Sequence, residues 1–136
     1  MAKTPVTLLV DGFKPREVAS VNYAFTQATD KEGQTTGIPR GGKITIRVKA
    51  MNDGTCELLS WMCDKSLAKD GKLEFMNSSD ATKKMKDVEF IGAYCVNFTE
   101  HWEDTTKEES LAHWEEITIT CKEIINQSVT YENEWS

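Results

Sequence analysis

Apolar and polar residues alternate along most of this chain, which is the period of strands that bury one face. A first strand is predicted at Val6 to Val10, ended by the turn signal Asp11-Gly12. A second runs from Val18 to about Gln27, with Val21, Tyr23 and Phe25 on one face. The third has the clearest alternation: Ile44, Ile46 and Val48 point one way, Lys43, Thr45, Arg47 and Lys49 the other. One segment breaks the period. Leu58, Leu59, Trp61 and Met62 recur at helical spacing, so a helix of about three turns is predicted over 55–65, with Asp53 or Thr55 as N-cap. Its core face is expected to be Leu58, Trp61 and Met62.

Asp70-Gly71 reads as a turn into a strand carrying Leu73 and Phe75. Strands resume at Val88 and Phe90, and Tyr94, Val96 and Phe98 alternate, followed by His101 and Trp102. Residues 103–110 form a polar connection. Ile117, Ile119 and Cys121 mark a further strand reaching Ile124, and Val129 and Tyr131 begin a last one. Many strands and one helix in 136 residues imply a mainly β fold, a closed or nearly closed antiparallel barrel with one helix packed on it, as a single domain over 1–136.

From Ala28 to Gly42 no periodicity exists. Connections beyond ~12–15 residues are uncommon unless they serve a function or lack order. This one holds Thr29, Asp30, Lys31, Gly33, Gly37, Ile38, Pro39, Arg40, Gly41 and Gly42, with Ile38 its sole aliphatic side chain. With so little apolar area it is expected to project from the domain.

Charge removes some functions. The net charge of −6 argues against nucleic acid as the main partner. Residues 1–50 hold eight Lys/Arg against four Asp/Glu, and residues 101–136 hold two against nine. Such asymmetry suits two oppositely charged faces that attract copies of one protein, or a scattered solvated surface. No apolar run approaches the ~20 residues of a membrane helix, so no membrane insertion is expected. Val6 to Val10 is shorter than a signal-peptide core, so no export signal is expected either.

Candidate chemistry is sparse. The cysteines at 56, 63, 95 and 121 form no C-x-x-C pair, which disfavours a zinc or thioredoxin-type site. Cys56 and Cys63, in one helix, would stand ~10.5 Å apart along its axis, too far for a disulfide. Cys95 and Cys121 lie in strands, and free buried thiols are the simplest expectation. His101 and His113 match no metal motif and sit among glutamates. A Cys95–His113 pair is the one nucleophile arrangement available, and nothing local marks it. Gly41-Gly42 precedes a strand rather than a helix, so no phosphate loop is present. No catalytic, cofactor or metal site is expected. A monomeric barrel binding a small ligand among Tyr23, Phe25, Tyr94 and Phe98 is the alternative function, and a cryptic Cys–His hydrolase a third.

The order of these segments resembles a known family. Leu8-Leu9-Val10-Asp11-Gly12 is followed by Gly37-Ile38-Pro39-Arg40-Gly41-Gly42 leading into Ile44-Thr45-Ile46-Arg47-Val48. Then come Glu57-Leu58-Leu59-Ser60-Trp61-Met62, Met85-Lys86-Asp87-Val88-Glu89-Phe90 with Ala93-Tyr94, and the ending Glu132-Asn133-Glu134-Trp135. Together they resemble the Hcp (TssD) proteins of the type VI secretion system, in the form found in Bacteroides-type bacteria. The resemblance implies a structural subunit rather than an enzyme. It implies six-membered rings that stack into a hollow tube, capped by a VgrG-type spike, expelled by a contractile sheath, with effector cargo in the lumen. The implied location is the cytoplasm before firing and the outside afterwards, through the machine itself. It also implies that the loop from Thr29 to Gly42 contacts the adjacent ring.

Overall fold

The structure is a computed structural model, and it describes residues 6–25, 30–34, 42–50, 54, 56–64, 66–77, 79, 82–104, 113–127 and 129–132. The elements are β1 (Val6–Val10), β2 (Arg16–Tyr23), β3 (Lys43–Lys49), α1 (Glu57–Cys63), β4 (Lys69–Met76), β5 (Lys84–Trp102), β6 (His113–Thr120), β7 (Glu123–Asn126) and β8 (Val129–Glu132). All pairings are antiparallel. Six strands close in the order β4-β1-β2-β3-β6-β5, with β5 returning to β4, and the β7-β8 hairpin extends from β5.

Alternation fills the barrel. Ile44 and Ile46 of β3 stand opposite Ile119 and Ile117 of β6, and all four are fully buried. Leu8, Leu73 and Val88 form a second inward row across β1, β4 and β5. Phe90 and Ile124 continue it into β7. Burying such side chains is worth ~1.5–3 kcal/mol each and drives closure.

β5 differs most from the sequence expectation. It is one strand of 19 residues, and its buried positions are Val88, Phe90, Ala93 and Cys95, with Phe98 half-buried. The parity changes twice. Gly92 adopts φ +61, and the β4 register shifts beside it, between Lys69↔Ala93 and Gly71↔Phe90. A second shift falls between Cys95 and Asn97 on β6. Such bulges turn side chains to the other face. Val96, expected to share a face with Tyr94 and Phe98, is therefore 46% exposed.

Asp70-Gly71 is strand rather than turn. Gly71 pairs with Val10 on one side and Phe90 on the other. A Cβ there would lie 2.5 Å from the Leu9 carbonyl oxygen and 2.7 Å from the Phe90 ring. The glycine lets Phe90 pass where β1, β4 and β5 meet. β2 ends at Tyr23, short of the expected Gln27. Val21 and Tyr23 pack on the core, but Phe25 lies beyond the strand, 40% exposed. The expected strand from Ile117 to Ile124 is broken at Cys121-Lys122 into β6 and β7.

The helix has seven residues rather than three turns, and its N-cap is Cys56, which makes no side-chain cap. Asp53 and Thr55 lie outside the described residues. Tertiary packing holds so short a helix. Leu58 and Trp61 are buried and Met62 is half-buried against the core. Trp61 meets Phe13 edge to face at 6.0 Å, and its indole N–H donates to the Leu67 carbonyl at 3.0 Å.

All four cysteines are free. Cys95 and Cys121 are buried, while Cys56 and Cys63, at the two ends of α1, are exposed. Burial pushes the Cys95 thiol up to about 11 and the Cys121 thiol up to about 12.

Four outcomes follow from this packing. Trp61→Ala should cost ~3–5 kcal/mol and be visible as a large fall in melting temperature; an unchanged melting curve would place the helix stripe outside the core. Gly71→Ala should cost ~1–3 kcal/mol in denaturant titrations, since neither the Leu9 backbone nor the enclosed Phe90 ring can give way freely. At pH 8 a disulfide reagent should label Cys56 and Cys63 and leave Cys95 and Cys121 untouched until denaturant is added. Because the buried thiols hold their protons more tightly in the folded chain, stability should fall as pH rises from the ordinary thiol value of 9.0 towards 11. Four equally reactive thiols would contradict both statements.

Candidate functional site

The Cys–His alternative at Cys95 and His113 is not assembled. Cys95 stands opposite Ile119, six positions along β6 from His113, a separation of ~20 Å. Its thiol donates to the Asn97 carbonyl at 3.5 Å, and its raised pKa is the reverse of what a nucleophile needs. His113 instead lies 2.8 Å from a Glu100 carboxylate oxygen. Among the described residues no group of three or more His, Cys, Asp or Glu is placed to hold a metal ion. The ligand-barrel alternative needs Tyr23, Phe25, Tyr94 and Phe98 around one cavity. Tyr23 and Phe98 pack against a filled core, and Phe25 is exposed. Tyr94 lines an open groove of about 370 Å³ with Met62, Asp64, Cys95, Val96 and Thr120. That groove is lined by none of the other three.

The feature that stands out is a sheet. β2, β3, β6 and the second half of β5 form four neighbouring strands. The inner side supplies the core, and the outer side carries a ladder of cross-strand polar pairs. Thr45 and Thr118 face each other with hydroxyls 3.3 Å apart. Arg47 is opposite Glu116 and donates to it at 3.1 and 3.3 Å. The Arg47 guanidinium also lies over Trp114, 3.9 Å from the ring centre. His101, the β5 partner of Trp114, stacks on that ring at 4.9 Å with 20° between planes. Lys49 reaches Glu17 at 3.1 Å. An arginine on an indole and an imidazole beside it hold flat, oriented polar surface at modest entropic cost.

Beneath this face one pair breaks the apolar rule. Glu115 points inward opposite Val48, only 5% exposed, and Arg16 at the start of β2 is 3% exposed. The Arg16 guanidinium donates to the Glu115 carboxylate and, at 2.9 Å, to the Lys49 carbonyl. A carboxylate so placed requires a buried cation. The contact ties β2, β3 and β6 at the same level of the sheet.

Among the described residues both edges of this four-stranded sheet are open. Ser20 to Tyr23 of β2 pair with β3 alone among the described residues, because β1 covers only Arg16 and Glu17. Among the described residues Asn97 to Trp102 of β5 pair with β6 alone, because the β4 pairing ends at Ala93. An open edge offers a row of backbone donors and acceptors to another strand. The sequence reading missed this surface. Its trace was the polar set Lys43, Thr45, Arg47 and Lys49, which needed a matching set on β6 to become a face.

The loop residues are placed in part. Asp30, Lys31 and Gly33 belong to an exposed turn in which the Asp30 carboxylate accepts the Glu32 and Gln34 amides at 2.9 and 3.0 Å. Gly33 adopts φ +88, which favours glycine. Gly42 is buried at φ +85, and its carbonyl accepts the Cys121 amide at 2.7 Å, so the start of β3 is fixed. Thr29, Gly37, Ile38, Pro39, Arg40 and Gly41 lie outside the described residues.

No curated protein matches this sequence. The family profile described as hemolysin coregulated protein Hcp (TssD) matches residues 3–136. The structure of Hcp1 from Flavobacterium johnsoniae is similar, with 30% identity and a TM-score of 0.83 over 95% of this chain and 99% of that one. Hcp1 from the E. coli EAEC 042 pathovar shares the fold at 12% identity, with a TM-score of 0.73 over 98% and 100%. A chain of the PVC sheath–tube complex, an extracellular contractile injection system in its extended state, is similar at 22% identity. Its TM-score is 0.56 over 91% of this chain and 88% of that one. A profile match over nearly the whole length, together with the barrel built here, gives the assignment: the chain belongs to the Hcp (TssD) family of type VI secretion tube proteins.

Proposed function

We propose that copies of this chain join side by side into a closed six-membered ring, and that the rings stack into the hollow inner tube of a type VI secretion system. The observation that carries this reading is the pair of open edges on the four-stranded sheet. Because the strands alternate in direction from β2 through β3 and β6 to β5, the two edge strands run opposite ways. A neighbour in the same orientation therefore sets its β2 antiparallel to this chain's β5. That is the more stable pairing, and it repeats without flipping any subunit. Head-to-tail contact of this kind closes into a ring. The polar outer ladder then becomes a continuous wetted wall, which suits a lumen that carries effector cargo.

The family likeness supports a contractile sheath around the tube and a VgrG-type spike at its end. It also supports exit through the machine rather than through an export signal. No helix among the described residues is long and apolar enough to cross a membrane, in keeping with that route. The segment from Thr29 to Gly42 leaves one end of the sheet and is the proposed contact with the next ring, with Arg40 as its charge contact.

Proline scanning of β5 tests the ring. Thr99 and Glu100 are consecutive, so their amides point to opposite sides of the strand. One of Thr99→Pro and Glu100→Pro should break the β6 ladder and destabilise the fold. The other should leave a folded chain that no longer associates, read by light scattering as a 15.4 kDa monomer. The parent should run at about six times that mass. A parent that stays monomeric at tens of micromolar overturns the ring.

A further inference from the structure

The four strands of the open-edged sheet have two ends, and the side chains at those ends differ. At one end Lys43, Thr120 and Tyr94 lie in register across β3, β6 and β5, with Tyr23 of β2 beside Ile44, one step in. Phe25 extends past this end, stacked edge to face on Tyr23 at 6.2 Å. Lys43 is exposed here, as is Lys122 just past β6. Neither has an ion-pair partner among the described residues. At the other end lie Lys49, Trp114, His101 and the last pair, Trp102 with His113. Beyond it run Glu103 and Asp104, both exposed. Six residue steps of β3 separate the ends, ~20 Å.

Trp102 is the unusual residue. It is 66% exposed, the most exposed aromatic ring among the described residues. Tryptophan is large and apolar and is enriched where a second surface will cover it. The neighbouring aromatics show what satisfied rings look like in this protein. Trp61 is enclosed by the core, and Trp114 is sandwiched between Arg47 and His101. Among the described residues Trp102 has no such cover, and carboxylates follow it directly: Glu103, 3.9 Å from His101, and Asp104.

The ends complement each other. One presents an aromatic ring with two lysines, the other an indole with two carboxylates. They sit on opposite ends of the same strands, so no chain can bring its own two ends together. A second copy in the same orientation, displaced along the strands, can. We infer that Trp102, Glu103 and Asp104 form the receiving surface for another copy, with Trp102 packing on the Phe25 end and the two carboxylates meeting its Lys43 and Lys122. This rests on the stacked-ring reading above and names the side of the subunit that reading left blank. Lysine ammonium groups over an indole face, and carboxylates opposite lysines, give both attraction and a fixed polarity. Like ends repel, so rings add in one direction only.

The test uses two charge-reversed proteins. Glu103→Lys with Asp104→Lys makes both ends basic, and Lys43→Glu with Lys122→Glu makes both ends acidic. All four side chains are exposed, so both proteins should fold as the parent does, checked by melting curves. Each alone should keep the parent's ring mass in light scattering but lose end-to-end stacks in electron micrographs. Mixed in equal amounts they should stack again in alternation, and salt near 0.5 M should weaken those stacks. Trp102→Ser leaves untouched the backbone that the ring contact uses, so the ring mass should persist while stacking falls at least tenfold at equal concentration. Stacking by each reversed protein alone, as by the parent, would overturn the inference. So would a mixture that stays apart, or a Trp102→Ser protein that stacks like the parent. A ring lost from the parent itself would overturn the stacked-ring reading instead, and this inference with it.

Discussion

Everything in this fold hangs on one strand serving two sheets. β5 spans 19 residues, ~60 Å if fully extended, and its first half is flanked by β4 and β7 while its second half lies beside β6. β2 is the other link between the two sets, and it meets β1 at only two residues, Arg16 and Glu17. The exchange in β5 happens around Gly92, whose positive φ and neighbouring register shift rotate the strand's inward face by one residue. Without that rotation Ala93 and Cys95 would point outward, and the four-stranded sheet would lose its core side. Because β4 leaves at Ala93, the far edge of β5 becomes free, and that freedom is what the proposed ring contact uses.

The buried pair of Arg16 and Glu115 plays a second, more local role. It stands where the four-stranded sheet would otherwise present an apolar position, and it links the start of β2 to β6 across β3. Loss of one partner leaves an uncompensated charge inside the barrel, a defect of ~3–5 kcal/mol. Such a contact contributes little net stability but strongly disfavours a shifted register, because a one-residue slip of β2 would separate the two charges. The edge that meets a neighbour is thereby held in one position.

The sequence was most legible where alternation was regular. Ile44, Ile46 and Val48 lie inside as their spacing requires, and β1 matches its predicted bounds. Legibility failed where the backbone changed parity without a residue that announces it. Gly92 looks like any strand glycine, so the alternation of Tyr94, Val96 and Phe98 reads as one face although Val96 lies exposed. Asp70-Gly71 carries a turn signature, yet its glycine is required by the approach of Phe90, a long-range fact. The helix was legible in its apolar stripe but not in its length, because packing rather than capping sets its ends. Of the candidate site, the loop was visible as a break in periodicity. The open edges were not, since an absent neighbour leaves no residue pattern, and Trp102 looked like the end of a strand.

The shared strand also sets how the subunit bears force. A hairpin pulled at its mouth unzips, one hydrogen bond failing after another. A long strand pulled along its axis loads its whole ladder at once. β5 is held on different stretches by β4, β6 and β7, so tension between its ends is spread over three ladders in shear. The covalent backbone of β5 carries load from one half of the barrel to the other, with the short β1–β2 ladder as the second joint. A subunit built this way stiffens along one direction while its β7-β8 hairpin, attached by a single ladder, stays the part that peels first.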